Sequence, residues 1–237
     1  FGLGMLVASV QTHWSSIRSS RLKPGRTWHS KALYLLSALA ITLSMGGVDV
    51  WAQAGEVVDP RPYGFEMPAG RLEPGAGQRV TTLDDQGRSV IAKVYVTVGD
   101  YQVLLLTDWQ LTARPVQATR FTERPFVADS QDVLAQRLTS QGPLKGLRTK
   151  ATDAYLYVYN TSDEFETVTR RILERMLPAL RGYARNRDIP TASPEVPLVV
   201  IMFRDAEQFQ AYRRMPKGVV AYYNTLTNQV VMYEESG

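Results

Sequence analysis

Residues 154–159 (AYLYVY), 161–180 (TSDEFETVTRRILERMLPAL) and 197–203 (PLVVIMF) decide the fold. The first is a short run of aromatic and branched residues, which favour an extended strand. In the second, Thr161 and Glu164 have the spacing of a capping box, which predicts a helix start. Phe165, Val168, Ile172, Met176, Ala179 or Leu180, and Tyr183 then recur at helical spacing. Pro178 falls inside that pattern and should kink or interrupt it. The third stretch is seven apolar residues without alternation, the pattern of a strand buried on both faces.

Downstream, Asp205 is placed to cap a short helix through Arg213, with Phe209 and Tyr212 inward. Residues 219–223 and 229–233 read as two strands of a hairpin joined by a slightly long loop at 224–228. The order β-α-β-α-β-β over 153–237 predicts a mixed sheet with helices packed against it.

Upstream the rhythm is different. Residues 79–83 lead into the polar turn Asp84-Asp85-Gln86-Gly87. Val90, Ala92, Val94, Val96 and Val98 then share one face at period two. Gly99-Asp100 and Asp108-Trp109-Gln110 punctuate two further strands, 101–107 and 111–116. Leu104, Leu105 and Leu106 break the alternation, as in a strand covered on both sides. Residues 78–121 therefore predict a small β-meander or barrel-like domain. Residues 122–152 read as a connector with one helix at about 130–140, capped by Asp129 or Ser130 and stopped by Gly142. Residues 55–77, rich in Pro and Gly and without a period, read as a linker. The fold class expected is α+β.

The charge balance has a simple origin. The chain has 27 Lys and Arg against 23 Asp and Glu. Arg18, Arg21, Lys23, Arg26 and Lys31 precede an apolar run at 32–48, which ends before Ala52-Gln53-Ala54. A positive segment, an apolar segment and a small-x-small site make a secretory leader over residues 1–54. The apolar run is shorter than the roughly 20 residues of a membrane-spanning helix. Cleavage after Ala54 removes five basic residues and one acidic residue (Asp49), leaving 22 of each. The basic excess thus belongs to the leader, and nucleic-acid binding loses its main support. The expected location is the periplasm, cell envelope or exterior, with no membrane association once the leader is removed.

Chemistry is sparse. There is no cysteine, and the two histidines, His13 and His29, precede the cleavage site. Residues 55–237 therefore exclude a Ser-His-Asp triad, a cysteine nucleophile and a His- or Cys-based zinc site. Asp84-Asp85 suit a turn, and Asp163, Glu164 and Glu166 suit a helix start. A hydrolase using paired carboxylates would need two of them facing one pocket.

Three blocks have a known counterpart: YLYVYNTSDEFETVTRRILERMLPAL (155–180), PLVVIMFRDAEQFQAY (197–212) and GVVAYYNTLTNQVVMYEESG (218–237). Over 153–237 the chain resembles the N-terminal portion of a secreted bacterial family, domain of unknown function 1570, grouped with the gluzincin-like metallopeptidases. The resemblance is strongest in the hairpin G-x-x-x-Y-Y-x-x-x-T-N-x-V-x-M-Y, Gly218 to Tyr233. It implies an exported zinc peptidase-like protein acting on peptide or protein, with an H-E-x-x-H helix after this hairpin. Residues 1–237 hold no such motif, so no zinc ligand and no catalytic residue is carried over. Zinc is expected only with a downstream motif. The resemblance also implies that the strand of Gln229, Val230, Val231, Met232 and Tyr233 is a sheet edge that pairs with substrate backbone. The alternative is a non-enzymatic envelope module in which residues 78–121 bind a cell-wall or protein partner.

Overall fold

The computed structural model describes residues 55–189, 191 and 194–235. The leader reading, 1–54, lies outside the described residues. In chain order the strands are β1 (Val57–Val58), β2 (Gly70–Pro74), β3 (Arg79–Leu83), β4 (Ser89–Val98), β5 (Tyr101–Leu105), β6 (Leu111–Pro115) and β7 (Arg120–Phe121). Helix α1 (Gln131–Ser140), β8 (Arg148–Ala151), β9 (Tyr155–Tyr159) and α2 (Asp163–Arg185) follow. The last elements are β10 (Leu198–Phe203), α3 (Ala206–Tyr212), β11 (Ala221–Asn224) and β12 (Gln229–Tyr233). These elements form two open sheets and make an α+β fold, as the sequence predicts.

The first sheet is antiparallel and is organised around β4. One side of β4 pairs with β3 through residues 89–93 and with β2 through 96–98. The other side pairs with β5, with a register shift between Val94 and Val96. β6 extends β5, and β7 extends β3. At the shift the chain approaches closely. The Gly75 N–H donates to the Tyr95 carbonyl (3.1 Å), and a Cβ on Gly75 would lie 2.1 Å from the Val94 carbonyl oxygen. Only glycine fits there.

Residues 55–77 are not a linker. They contain β1, a single 3-10 turn at Arg61–Tyr63, and β2, and they bury Phe65, Met67 and Leu72 with Val96, Val98 and Val103. These apolar residues stand singly among Pro and Gly, so no local period betrays them. Their burial depends on pairing with β4, some 25 residues later in the chain.

The second sheet has the order β11-β12-β10-β9-β8. β9, β10 and β12 run parallel, and the edge strands β11 and β8 run antiparallel to their neighbours. All six residues of β10 are buried, in agreement with the unbroken apolar run. β8 adds a strand in the segment read as a connector. Its sequence, RTKA, is exposed throughout, so it shows no apolar pattern.

Ser130 caps α1 by accepting from the Val133 N–H, and Asp205 caps α3 by accepting from the Gln208 N–H. The cap of α2 is Ser162, not Thr161. Its hydroxyl accepts from the Phe165 N–H at 3.1 Å, while Thr161 is buried outside the helix. The inward face of α2 is also rotated from the expected one. Glu166, Thr169 and Leu173 are buried, with Phe165, Ile172 and Met176 packed on the row Tyr155, Tyr157 and Tyr159. Val168 and Tyr183 face outward. Burial of Glu166 is sustained by Arg170 (2.8 Å) and Lys150 (3.6 Å), a pairing no hydrophobic periodicity encodes. The helix continues through Pro178 to Arg185. Pro178 has no N–H for the Glu174 carbonyl. One residue earlier, the Leu173 carbonyl accepts from the Tyr155 hydroxyl at 3.1 Å.

Two residues exchange places between the sheets. Trp109, in the β5–β6 turn, is buried with Leu134, Leu156, Ile201, Phe203 and Phe209 of the second core. Its backbone is left-handed (φ 69°), and its indole N–H donates to the Asp129 carbonyl at 2.9 Å. Leu226, in the β11–β12 turn, packs on the core formed by Phe65, Met67 and Leu72, and its carbonyl accepts from the Leu111 N–H at 2.6 Å.

Candidate functional site

The strand Gln229–Tyr233 is not a sheet edge. β12 pairs in parallel with β10 on one side and antiparallel with β11 on the other. Gln229, Val230, Val231 and Met232 are buried, and only Tyr233 is half-buried. Every position is spent on the sheet, so a substrate strand has no place beside it. The expectation fails because a hairpin brings β11 to the outside, and order along the chain does not tell which arm of a hairpin faces outward.

Among the described residues the free edge on that side is β11, whose four residues are all half-buried. Tyr222 lies on one face of it, with its ring 5.6 Å from that of Phe209 and the Arg213 guanidinium 5.6 Å from its centroid. Burial, then the neighbouring Tyr212, pushes the Tyr222 hydroxyl up to about 12. Tyr223 lies on the other face. Its hydroxyl donates to Asn228 Oδ1 (3.3 Å), and burial raises it to about 12 as well. Both phenols are neutral at physiological pH and act there as amphipathic walls beside a short strand edge.

The carboxyl ends of β9, β10 and β12 are where open parallel sheets usually hold ligands. Here most of their polar groups are paired with one another, and the buried Thr161 hydroxyl is the exception, with no partner. Asn160 accepts from the Arg204 N–H (2.8 Å) and donates to Gln208 Oε1 (2.7 Å). Glu234 accepts from Ser162, at the start of α2. Arg148 bonds Asp163 and the Thr161 carbonyl and stacks on Tyr159. The helix N-terminus is thus already met by a carboxylate of the chain itself.

Among the described residues, neither of two open depressions holds two carboxylates. Glu166 and Glu174 share one guanidinium, Arg170, at 2.8 and 3.4 Å. One open depression, of about 610 Å3, is lined by Arg61, Phe65, Glu66 and Met67 and contains a single carboxylate. A second, of about 270 Å3, is lined by Thr81, Ser89, Ile91, Arg124, Pro125 and Val127 and contains none. Among the described residues no three His, Cys, Asp or Glu side chains are placed to hold a metal ion, so these residues do not fit a zinc site. No helix among the described residues is long and apolar enough to cross a membrane.

The residues the sequence did not single out are Trp109, Leu226 and Arg79. Trp109 and Leu226 sit in turns, where apolar residues are usually exposed, and that anomaly is the one local signal of their docking. The fold and these arrangements define a two-sheet α+β protein with a short free strand edge and no catalytic constellation among the described residues. Compared with family models, with curated proteins and with solved structures, the chain matches none.

Proposed function

We propose that the chain is the N-terminal part of an exported zinc-metallopeptidase-like protein, in which the residues described here form a scaffold on the substrate side. The observation that carries the reading is the sheet itself: three parallel strands bordered on the β12 side by a short antiparallel strand, β11, whose outer edge is unpaired among the described residues. The same hairpin holds the motif by which the sequence resembles its family. In this reading an extended peptide adds to β11 through main-chain hydrogen bonds, with Tyr222 and Tyr223 flanking alternate side chains. Zinc and the activated water would come from residues outside this chain, and no hydrolytic step is assigned to these residues.

The test begins with the reading frame beyond the codon for Gly237 and with the protein it encodes. An H-E-x-x-H within a few dozen residues, stoichiometric zinc and chelator-sensitive hydrolysis of an unfolded protein substrate are expected. An intact frame without the motif, or a protein with no zinc and no hydrolysis, sinks the reading. Export is checked separately by N-terminal sequencing of the protein outside the cytoplasm, with Gly55 as the expected first residue.

A second reading, a non-enzymatic envelope module, is favoured by one observation in the first sheet: Arg79, directly opposite Lys93, has a buried Nε with no acceptor.

A further inference from the structure

We infer that the outer face of β3 and β7 is an oxyanion-binding site, built by Arg79, Arg120 and Arg124, that takes a phosphate group. The inference stands whether or not a catalytic motif follows this chain.

The placement follows from register. Arg79 and Thr81 point to the same face of β3, because side chains two apart in a strand do so. Thr81 is the direct partner of Arg120 on β7, and the Arg79 carbonyl accepts from the Thr122 N–H at 3.0 Å. Arg79 and Arg120 are therefore diagonal neighbours on one face, close enough for long side chains to converge. The chain after β7 then crosses this face. Arg124, Pro125 and Val127 line a depression of about 270 Å3 together with Thr81, Ser89 and Ile91.

Two features single this cluster out from ordinary surface charge. The first is that Arg79 lies directly opposite Lys93 on β4. Like charges in that relation destabilise a sheet, and only Lys93 has a carboxylate of its own, Glu195. The second is that Arg79 Nε is buried and has no acceptor. An unsatisfied buried donor on a charged group costs more than an ordinary lost hydrogen bond. An incoming oxyanion that the Arg79 side chain turns to meet supplies the missing acceptor and offsets the positive charge of the cluster.

The nearby acids do not fill this role. Asp84 is engaged by Arg88, Asp85 by Arg114 and Asp129 by Arg137. Glu195 is engaged by Lys93, and Glu123, in the same crossing segment, is exposed. Guanidinium groups suit phosphate because their paired N–H donors match its oxygens.

The experiment is calorimetric titration of the protein with inorganic phosphate, with a poly(glycerol phosphate) chain and with polyglutamate. Arg79→Gln, Arg120→Gln and the distant control Arg185→Gln are titrated alongside. Saturable binding of one or both phosphate ligands is expected, weakened tenfold or more in Arg79→Gln and Arg120→Gln and unchanged in Arg185→Gln. Binding of both assigns a free phosphate group as sufficient, and binding of the chain alone assigns the polymer as the source. Arg79→Gln should also melt no lower than the parent in phosphate-free buffer and lose the rise in Tm that phosphate gives the parent. The inference is overturned by the absence of saturable phosphate binding, by equal binding of polyglutamate, or by an Arg79→Gln protein that unfolds without phosphate.

Discussion

The Glu234 carboxylate accepts from both the backbone N–H (2.8 Å) and the hydroxyl (2.6 Å) of Ser162, which stands 72 residues earlier. The same hydroxyl oxygen accepts from the Phe165 N–H and so caps α2. The end of β12 and the start of α2 are thereby joined through one serine, and the negative charge sits where the helix dipole favours it. Ser162→Ala should cost about 1 kcal/mol, and Glu234→Ala about the same. The double variant should lose less than the sum, by at least ~0.5 kcal/mol. Urea unfolding of the four proteins checks this; strict additivity would show that the two residues act independently.

Trp109 reports the contact between the sheets. The other tryptophans, Trp14, Trp28 and Trp51, all lie before Gly55, so a protein beginning at Gly55 has Trp109 alone. Its emission should be that of a buried indole. In urea it should shift to that of an exposed indole, in the same transition as the loss of far-ultraviolet ellipticity. Trp109→Ala should cost about 3–5 kcal/mol, the range for removing a buried aromatic side chain. Two separate transitions would mean that the sheets unfold independently despite the exchange of Trp109 and Leu226.

Two glycines should respond in opposite directions to alanine. Gly75→Ala forces a Cβ to within 2.1 Å of the Val94 carbonyl oxygen and should prevent soluble expression or lower Tm by more than 10 °C. Gly182, inside α2, has nothing within 4 Å of the added atom. Gly182→Ala should stabilise by about 0.5–1 kcal/mol through helix propensity. Thermal melts of the two variants decide the matter.

Alkaline pH should unfold the protein through its tyrosines. Burial raises Tyr155, Tyr222 and Tyr223 from 10.0 to about 12 each. Between these values the folded state holds protons that the unfolded state has released. Their contribution is therefore fully present below pH 10 and is lost as pH rises toward 12. Absorbance at 295 nm should show a fraction of tyrosines ionising late, together with loss of ellipticity. In Tyr155→Phe the late fraction should shrink. The variant should also be about 1 kcal/mol less stable at neutral pH, for want of the bond to the Leu173 carbonyl.

Much of this fold is written locally. The six apolar residues of β10 need no partner to declare a doubly buried strand, and Ser130 and Asp205 announce their helices by the chemistry of a cap. The α+β class, the meander after residue 78 and the hairpin at the end follow from such signals, because period and turn chemistry act over a few residues. What the tertiary structure alone decided depends on residues far apart. β2 is a strand because β4 waits for it, and Glu166 is an inward residue because Lys150 and Arg170 neutralise it. Ser162 displaces Thr161 as the cap of α2, a cap that Glu234 also contacts. Gln229–Tyr233 lies inside the sheet because β11 folds back along its flank, and the edge passes to Ala221–Asn224. A strand's place in a sheet is a relation among strands, set by pairing energy summed over the whole structure, and no residue of the strand encodes it alone.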